Sequence, residues 1–183
     1  PVKVPQNSLY NISSQSDLIQ LKNINGKEFS YSFWMYVDGD NLNATASNKL
    51  VLGRMESEDI TKSTPIFVLD KTQNKLFVYV KKSQDSYISG INDIDSKNRD
   101  VLTINYLPLQ RWVNIVLVVD NNFVQLFMDG ELREVKDLSN YSSGGSMETT
   151  VVQTPTGNMI VGTNSSNNNI MPAFNGYLSK VQV

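Results

Sequence analysis

Two pairs of aromatic side chains stand where an extended chain would present them on one face. Trp34 and Tyr36 fall in phase with Ser30 and Ser32 along Glu28 to Val37, and Phe77 falls in phase with Tyr79 along Lys75 to Val80. Aromatic rings pack on the apolar C–H faces of sugars while neighbouring hydroxyl and amide groups bond sugar hydroxyls. Trp34, Tyr36, Phe77 and Tyr79 are therefore candidate carbohydrate-binding residues. The same phasing also fits rings roofed by a loop as a second small core, which is where large aromatics usually end. Trp34 leans towards that second reading, and Trp112, at the head of the central strand, is expected in the core.

Carboxylates are the other groups able to do chemistry. A retaining glycosidase needs two carboxyl groups about 5 Å apart, which on a strand means acidic residues at alternate positions. The acidic clusters here, Glu56-Ser57-Glu58-Asp59 and Asp93-Ile94-Asp95, both fall in expected loops, so they read as solvated side chains and no catalytic residue is assigned. Asn92 to Asp95, followed by Asn98 and Asp100, gathers oxygen ligands of the kind calcium takes. Asp93, Asp95 and Asp100 are the metal candidates, and calcium is the only cofactor the chain suggests. The run lacks the glycine and closing glutamate of an EF-hand loop. Histidine and cysteine are absent, which excludes serine-histidine and cysteine-histidine catalysis, imidazole and thiolate metal ligation, and disulfides.

With 16 basic and 18 acidic residues in 183, the net charge is −2, and no basic stripe offers to neutralise phosphates. Nucleic acid is not an expected partner. The longest apolar run, Ile115 to Val119, is far below the roughly 20 residues of a spanning helix, so membrane insertion is not expected. Glycosylation sequons begin at Asn11, Asn43, Asn140 and Asn164, about as many as chance gives in a chain with 21 asparagines.

The elements that must position these residues are strands. Arg111 to Glu131 places Val113, Ile115, Leu117 and Val119 on one face, turns at Asp120 to Asn122, and resumes with Val124, Leu126 and Met128 before Asp129-Gly130. Asp-Gly supplies the positive φ values of a two-residue type I′ turn, so Glu131 to Leu138 folds back as the next strand. Trp112, Val116 and Val118 lie on the opposite face, which reads as a strand covered on both sides. Upstream, Phe29, Tyr31, Phe33, Met35 and Val37 alternate with Ser30, Ser32, Trp34 and Tyr36. Leu18 to Leu21, Lys49 to Met55, Pro65 to Asp70, Lys75 to Val80, Val101 to Ile104, Met159 to Gly162 and Phe174 to Val183 read as further strands. A short strand is expected at Tyr87 to Ser89. Ser139 to Asn158 is expected to be a long loop, functional or mobile. No helical period runs through ten residues, so the chain is all-β, a sandwich or barrel forming one domain.

Seven of these segments occur in the order and spacing of a laminin G-like domain, and the chain resembles that family over about Ser8 to Val183. They are Phe29 to Met35, Lys49 to Arg54, Lys75 to Tyr79, Arg111 to Asp120, Val124 to Glu131, Met159 to Gly162 and Phe174 to Val181. The resemblance implies a concanavalin A-like jelly roll of two antiparallel sheets packed face to face, with binding loops at the rim. Relatives of this kind include lectins, adhesion domains, glycan-binding appendages and viral surface proteins, so fold alone does not choose the function. The closing motif often carries an acidic pair where this chain has Ser179-Lys180, which argues against a calcium site built on those positions. The spaced carboxylates of the superfamily's hydrolases are also missing. The expectation is a non-catalytic recognition module binding carbohydrate on a cell, matrix or virion surface, extracellular, with a glycan or protein surface as partner. The alternative is an assembly or decoration module of a viral capsid or cell-surface layer. A chain opening at Pro1 and stopping directly after its closing strand is expected to belong to a longer product.

Overall fold

The structure, a computed structural model, describes residues 1–5, 9–11, 28–39, 47–55, 63–82, 88, 90–95, 100–141, 147–148, 152–155, 157–162 and 172–183. Its strands are β1 (Val2–Lys3), β2 (Leu9–Asn11), β3 (Glu28–Val37), β4 (Lys49–Met55), β5 (Ser63–Leu69), β6 (Leu76–Tyr79) and β7 (Val101–Ile104). There follow β8 (Trp112–Asp120), β9 (Phe123–Met128), β10 (Glu131–Asp137), β11 (Asn140–Tyr141), β12 (Met147–Glu148), β13 (Asn158–Gly162) and β14 (Gly176–Gln182). One six-stranded sheet runs β1-β14-β3-β8-β9-β10, the other β2-β13-β4-β5-β6-β7, and every pairing of strands within them is antiparallel. This is the expected jelly-roll sandwich.

The alternation on β3 and β8 sends Phe29, Tyr31, Phe33, Met35 and Val37, with Val113, Ile115, Leu117 and Val119, into the space between the sheets. They meet Val51, Leu52, Phe67, Leu69, Leu76, Val78 and Leu102 of the second sheet. The Asp129-Gly130 turn forms as expected, with φ of +52° and +81°. Between Leu132 and Glu134 the register of β10 slips, leaving Arg133 as the extra residue of a β-bulge. Beyond the slip Glu134 and Lys136 point inward. The Glu134 carboxylate accepts the Thr103 N–H, and the Lys136 ammonium donates to the Val101 carbonyl, both on the outer edge of β7.

The two sheets differ on their outward faces. On the second sheet Leu50, Met55, Ile66, Val68, Phe77, Tyr79, Val101 and Ile160 form a second core with Ile88, Ile91 and Ile94, which lie across them. Asn48 holds this cover down: its side-chain amide donates to the Ile91 and Ile94 carbonyls at 3.2 and 2.9 Å, and its own N–H donates to Asn92 Oδ1. On the first sheet Val116 and Val118 are only half-buried, so the central strand is not covered on both sides. Part of the expected 139–158 loop is paired instead, β11 with β12 and Val152 with Lys82. The expected strand at Leu18 to Leu21 and most of Tyr87 to Ser89 lie outside the described residues, and Ile88 itself is not in a strand.

Inside the sandwich the Tyr31 hydroxyl receives a hydrogen bond from the buried Arg54 guanidinium at 3.4 Å. Burial pushes the Tyr31 pKa above its ordinary 10.0, with Arg54 opposing the shift. Tyrosine is neutral when protonated, so the folded chain holds this proton more tightly than the unfolded chain does. That contribution to stability is complete below pH about 10 and is lost as pH rises through the folded value. Urea midpoints are expected to fall above pH about 10, and Tyr31→Phe to reduce the fall. An unchanged alkaline slope in Tyr31→Phe would assign the loss to other groups.

Candidate functional site

The uncovered outward face of the first sheet carries aromatics in one row. Register places Lys3 of β1, Tyr177 of β14, Tyr36 of β3 and Trp112 of β8 side by side. Strands about 4.8 Å apart bring side chains in such a row into contact. The Tyr177 and Tyr36 rings lie 6.1 Å apart edge to face, Tyr36 and Trp112 lie 5.7 Å apart and tilted, and the Lys3 ammonium sits 5.9 Å from the Tyr177 ring centre. Gly176 permits the β14 end of the row. A Cβ there would press on the Tyr36 carbonyl oxygen and the Phe174 ring, so only glycine lets the two backbones approach this closely.

The next row holds Ser179, Trp34 and Asn114, and the one after it Gln182, Ser32, Val116, Phe127 and Leu132. The Asn114 amide donates to the Phe33 carbonyl at 3.2 Å and lies 3.5 Å from the Ser32 hydroxyl, which fixes it beside the rings. Trp34 and Trp112 are 38% and 37% exposed, and Tyr36 and Tyr177 are half-buried. Both tryptophans correct the expectation of burial, because nothing among the described residues roofs this face. No carboxylate occupies a register position in these three rows. The arrangement can stack on a flat apolar face and hydrogen-bond its rim, and the Asp129 carboxylate beside it is engaged by the Asn114 N–H at 2.8 Å and by Arg111.

Phe77 and Tyr79 are placed elsewhere. Each is 2% exposed beneath Ile88, Ile91 and Ile94 on the other sheet, so their assignment as ligand-binding residues is corrected to that of a second core. The structure brings Tyr36 together with Trp112 and Tyr177, two residues that spacing along the chain did not join to it.

The three metal candidates are not gathered either. Asp93 ends the short 3₁₀ turn Ile91–Asp93, and its carboxylate accepts the Gly90 N–H at 3.0 Å. Asp100 is buried and pairs with the buried Lys82 at 3.0 Å, so its charge is already met by an ammonium. No group of three or more metal-ligating side chains occurs among the described residues. Asp93, Asp95 and Asp100 do not fit a calcium ion as one ligand set, and Asn98 lies outside the described residues.

A laminin G model described as the concanavalin A-like lectin/glucanases superfamily matches residues 12–183. Among curated sequences, SH2 domain-containing protein B of Arabidopsis thaliana is 29% identical over 111 residues, covering 58% of this chain and 15% of its own length. SH2 domain-containing protein A of the same plant is 24% identical over 128 residues, 69% of this chain and 19% of its length. The chain thus spans less than a fifth of either relative. Among solved structures, the CBM40 of the Ruminococcus gnavus IT-sialidase superposes with a TM-score of 0.58 at 11% identity, over 99% of this chain and 88% of that one. That module has also been solved bound to α2,6 sialyllactose. Domains LG4-5 of the mouse laminin α1 chain give a TM-score of 0.54 at 9% identity, over 98% of this chain and 40% of theirs. No helix among the described residues is long and apolar enough to cross a membrane.

Proposed function

Because the chain belongs to the laminin G-like family of the concanavalin A-like lectin/glucanases superfamily, we propose that it is a non-catalytic recognition module that binds carbohydrate through the aromatic face of its first sheet. The single observation that carries this reading is the row Tyr177, Tyr36 and Trp112, with exposed Trp34 beside it. The rings of Tyr177, Tyr36 and Trp112, packed against one another, lose little conformational freedom when a sugar stacks on them, and Ser32, Asn114 and Ser179 supply polar groups at the same face. A surface glycan of a cell, matrix or virion is the ligand this geometry suits. The solved complex of the CBM40 module with sialyllactose supports the class of ligand, through a shared fold only.

Trp34→Ala and Trp112→Ala test the platform. On a glycan array, with and without calcium, each is expected to lose about tenfold or more in affinity, as central aromatic anchors do. Unfolding free energies should stay within about 1 kcal/mol of wild type, because both rings are partly exposed. Retained binding by both variants, or no binding of any glycan by the wild type, would remove this reading.

A second reading, an assembly or decoration module, is favoured by a different part of the same face. Phe123, Leu132 and Val135 are exposed there on β9 and β10, and an apolar group of this kind suits a protein neighbour. Crosslinking on the intact source particle separates the two readings, because a domain with no protein neighbours would exclude assembly.

A further inference from the structure

We propose that a cleft beside the edge where β7 meets β10 binds the acidic group of a sugar, a carboxylate or a sulfate; this rests on the carbohydrate reading above and names the charge of the ligand. The cleft encloses about 560 Å³, and among its walls are Asn105, Tyr106, Pro108, Arg111, Met128 and Arg133. It therefore combines two guanidinium groups, an amide and a phenol with an apolar floor, and no carboxylate lines it.

Arg133 is there because of the β-bulge: as the extra residue between Leu132 and Glu134 it has no partner across the ladder, and bulges re-aim side chains in this way. Arg111 stands immediately before β8. Each guanidinium is steadied by a carboxylate from the turn between β9 and β10 or the residue after it, Arg111 by Asp129 and Arg133 by Glu131 at 2.8 Å. In both pairs the contact uses one terminal nitrogen, so N–H donors remain on each group among the described residues. A planar fork with spare donors recognises an oxyanion in two-point fashion, which a lysine could not reproduce. Tyr106 is 67% exposed beside the arginines, a large ring that nothing among the described residues covers. An oxyanion on a stacked ring meets both features at once, whereas a bare anion would leave the apolar floor and Tyr106 unused.

Calorimetric titration of the chain at low ionic strength tests this with four probes: a uronic-acid oligosaccharide, a sulfated neutral oligosaccharide, the unsulfated parent, and a hexaglutamate peptide. At least one acidic sugar is expected to bind about tenfold or more tighter than the neutral parent, and which one does so identifies the oxyanion. Arg133→Gln should remove most of that preference and Arg133→Lys only part of it, with unchanged thermal midpoints because Arg133 sits at the surface. Arg111→Gln is the second variant. Equal affinity for acidic and neutral sugars, an acidic preference untouched by both Gln variants, or equal binding of hexaglutamate would overturn the cleft and leave the aromatic platform standing. An acidic preference that depends on Arg133 but survives Trp34→Ala and Trp112→Ala without loss of affinity would support the cleft and overturn the platform. Failure of every sugar to bind would overturn both.

Discussion

Phe67→Ala is expected to lower the unfolding free energy by about 3–5 kcal/mol, the range for deleting a large buried aromatic. Phe67 sits mid-strand on β5, fully buried, and its ring bridges the sheets. It meets Phe33 of β3 edge to face at 5.0 Å and Tyr31 at 6.4 Å. The Phe33 contact alone contributes about 0.5–1.5 kcal/mol beyond the area it buries. Around it the inward residues of β3, β4 and β6 are held by two ladders each, so the void cannot close by moving one strand. Domains of this kind have about 5–15 kcal/mol in hand, so the variant should fold but with a clearly lowered urea midpoint. Phe67→Leu, which keeps most of the volume, should cost much less. A Phe67→Ala midpoint corresponding to under about 1.5 kcal/mol would mean that the sheets settle onto the cavity more freely than two-ladder strands allow.

Leu117→Ala is expected to cost about 2–5 kcal/mol, through lost transfer energy and a residual cavity. Leu117 is fully buried, flanked in register by Tyr31 of β3 and Leu126 of β9. The informative comparison is with its chain neighbours. Val116 and Val118 belong to the same strand but face outward and are half-buried, so their alanine variants should each cost about 1 kcal/mol or less. A saw-tooth of denaturant midpoints along β8 is the expected pattern. Equal costs at positions 116, 117 and 118 would show that the outward face is covered after all, and the sugar platform would lose its access.

Period-two patterning makes most of this architecture legible in the sequence. The phases of Phe29 to Val37 and Val113 to Val119 gave the inward residues of β3 and β8, and Asp129-Gly130 gave the hairpin between β9 and β10. What alternation does not encode is which strands become neighbours. Residues 36, 112 and 177 share a row only through the pairing of β14, β3 and β8, so half of the aromatic site was invisible along the chain. A usable signal existed for Trp112, which is out of phase with Val113 and Ile115, and phase outranks the general tendency of tryptophan to be buried. Phe77 and Tyr79 failed for the opposite reason. Phase placed them outward correctly, but Ile88, Ile91 and Ile94, scattered in a polar stretch, cover that face. Three isoleucines three residues apart are too sparse to read as an element, and they become one only when Asn48 ties them down.

The contacts that Glu134 and Lys136 make with β7 bear on how densely such modules can be crowded together. A bare sheet edge is a template on which any extended chain, including another copy, can hydrogen-bond and grow. Here the Thr103 N–H and the Val101 carbonyl, which an incoming strand would need, are already taken by a carboxylate and an ammonium from the opposite sheet. Both side chains are about three-quarters buried, so salt weakens this block far less than it weakens charges in open solvent. Copies packed side by side on a surface would therefore find no strand template along this rim, and it would not seed strand-to-strand fusion even at high local concentration.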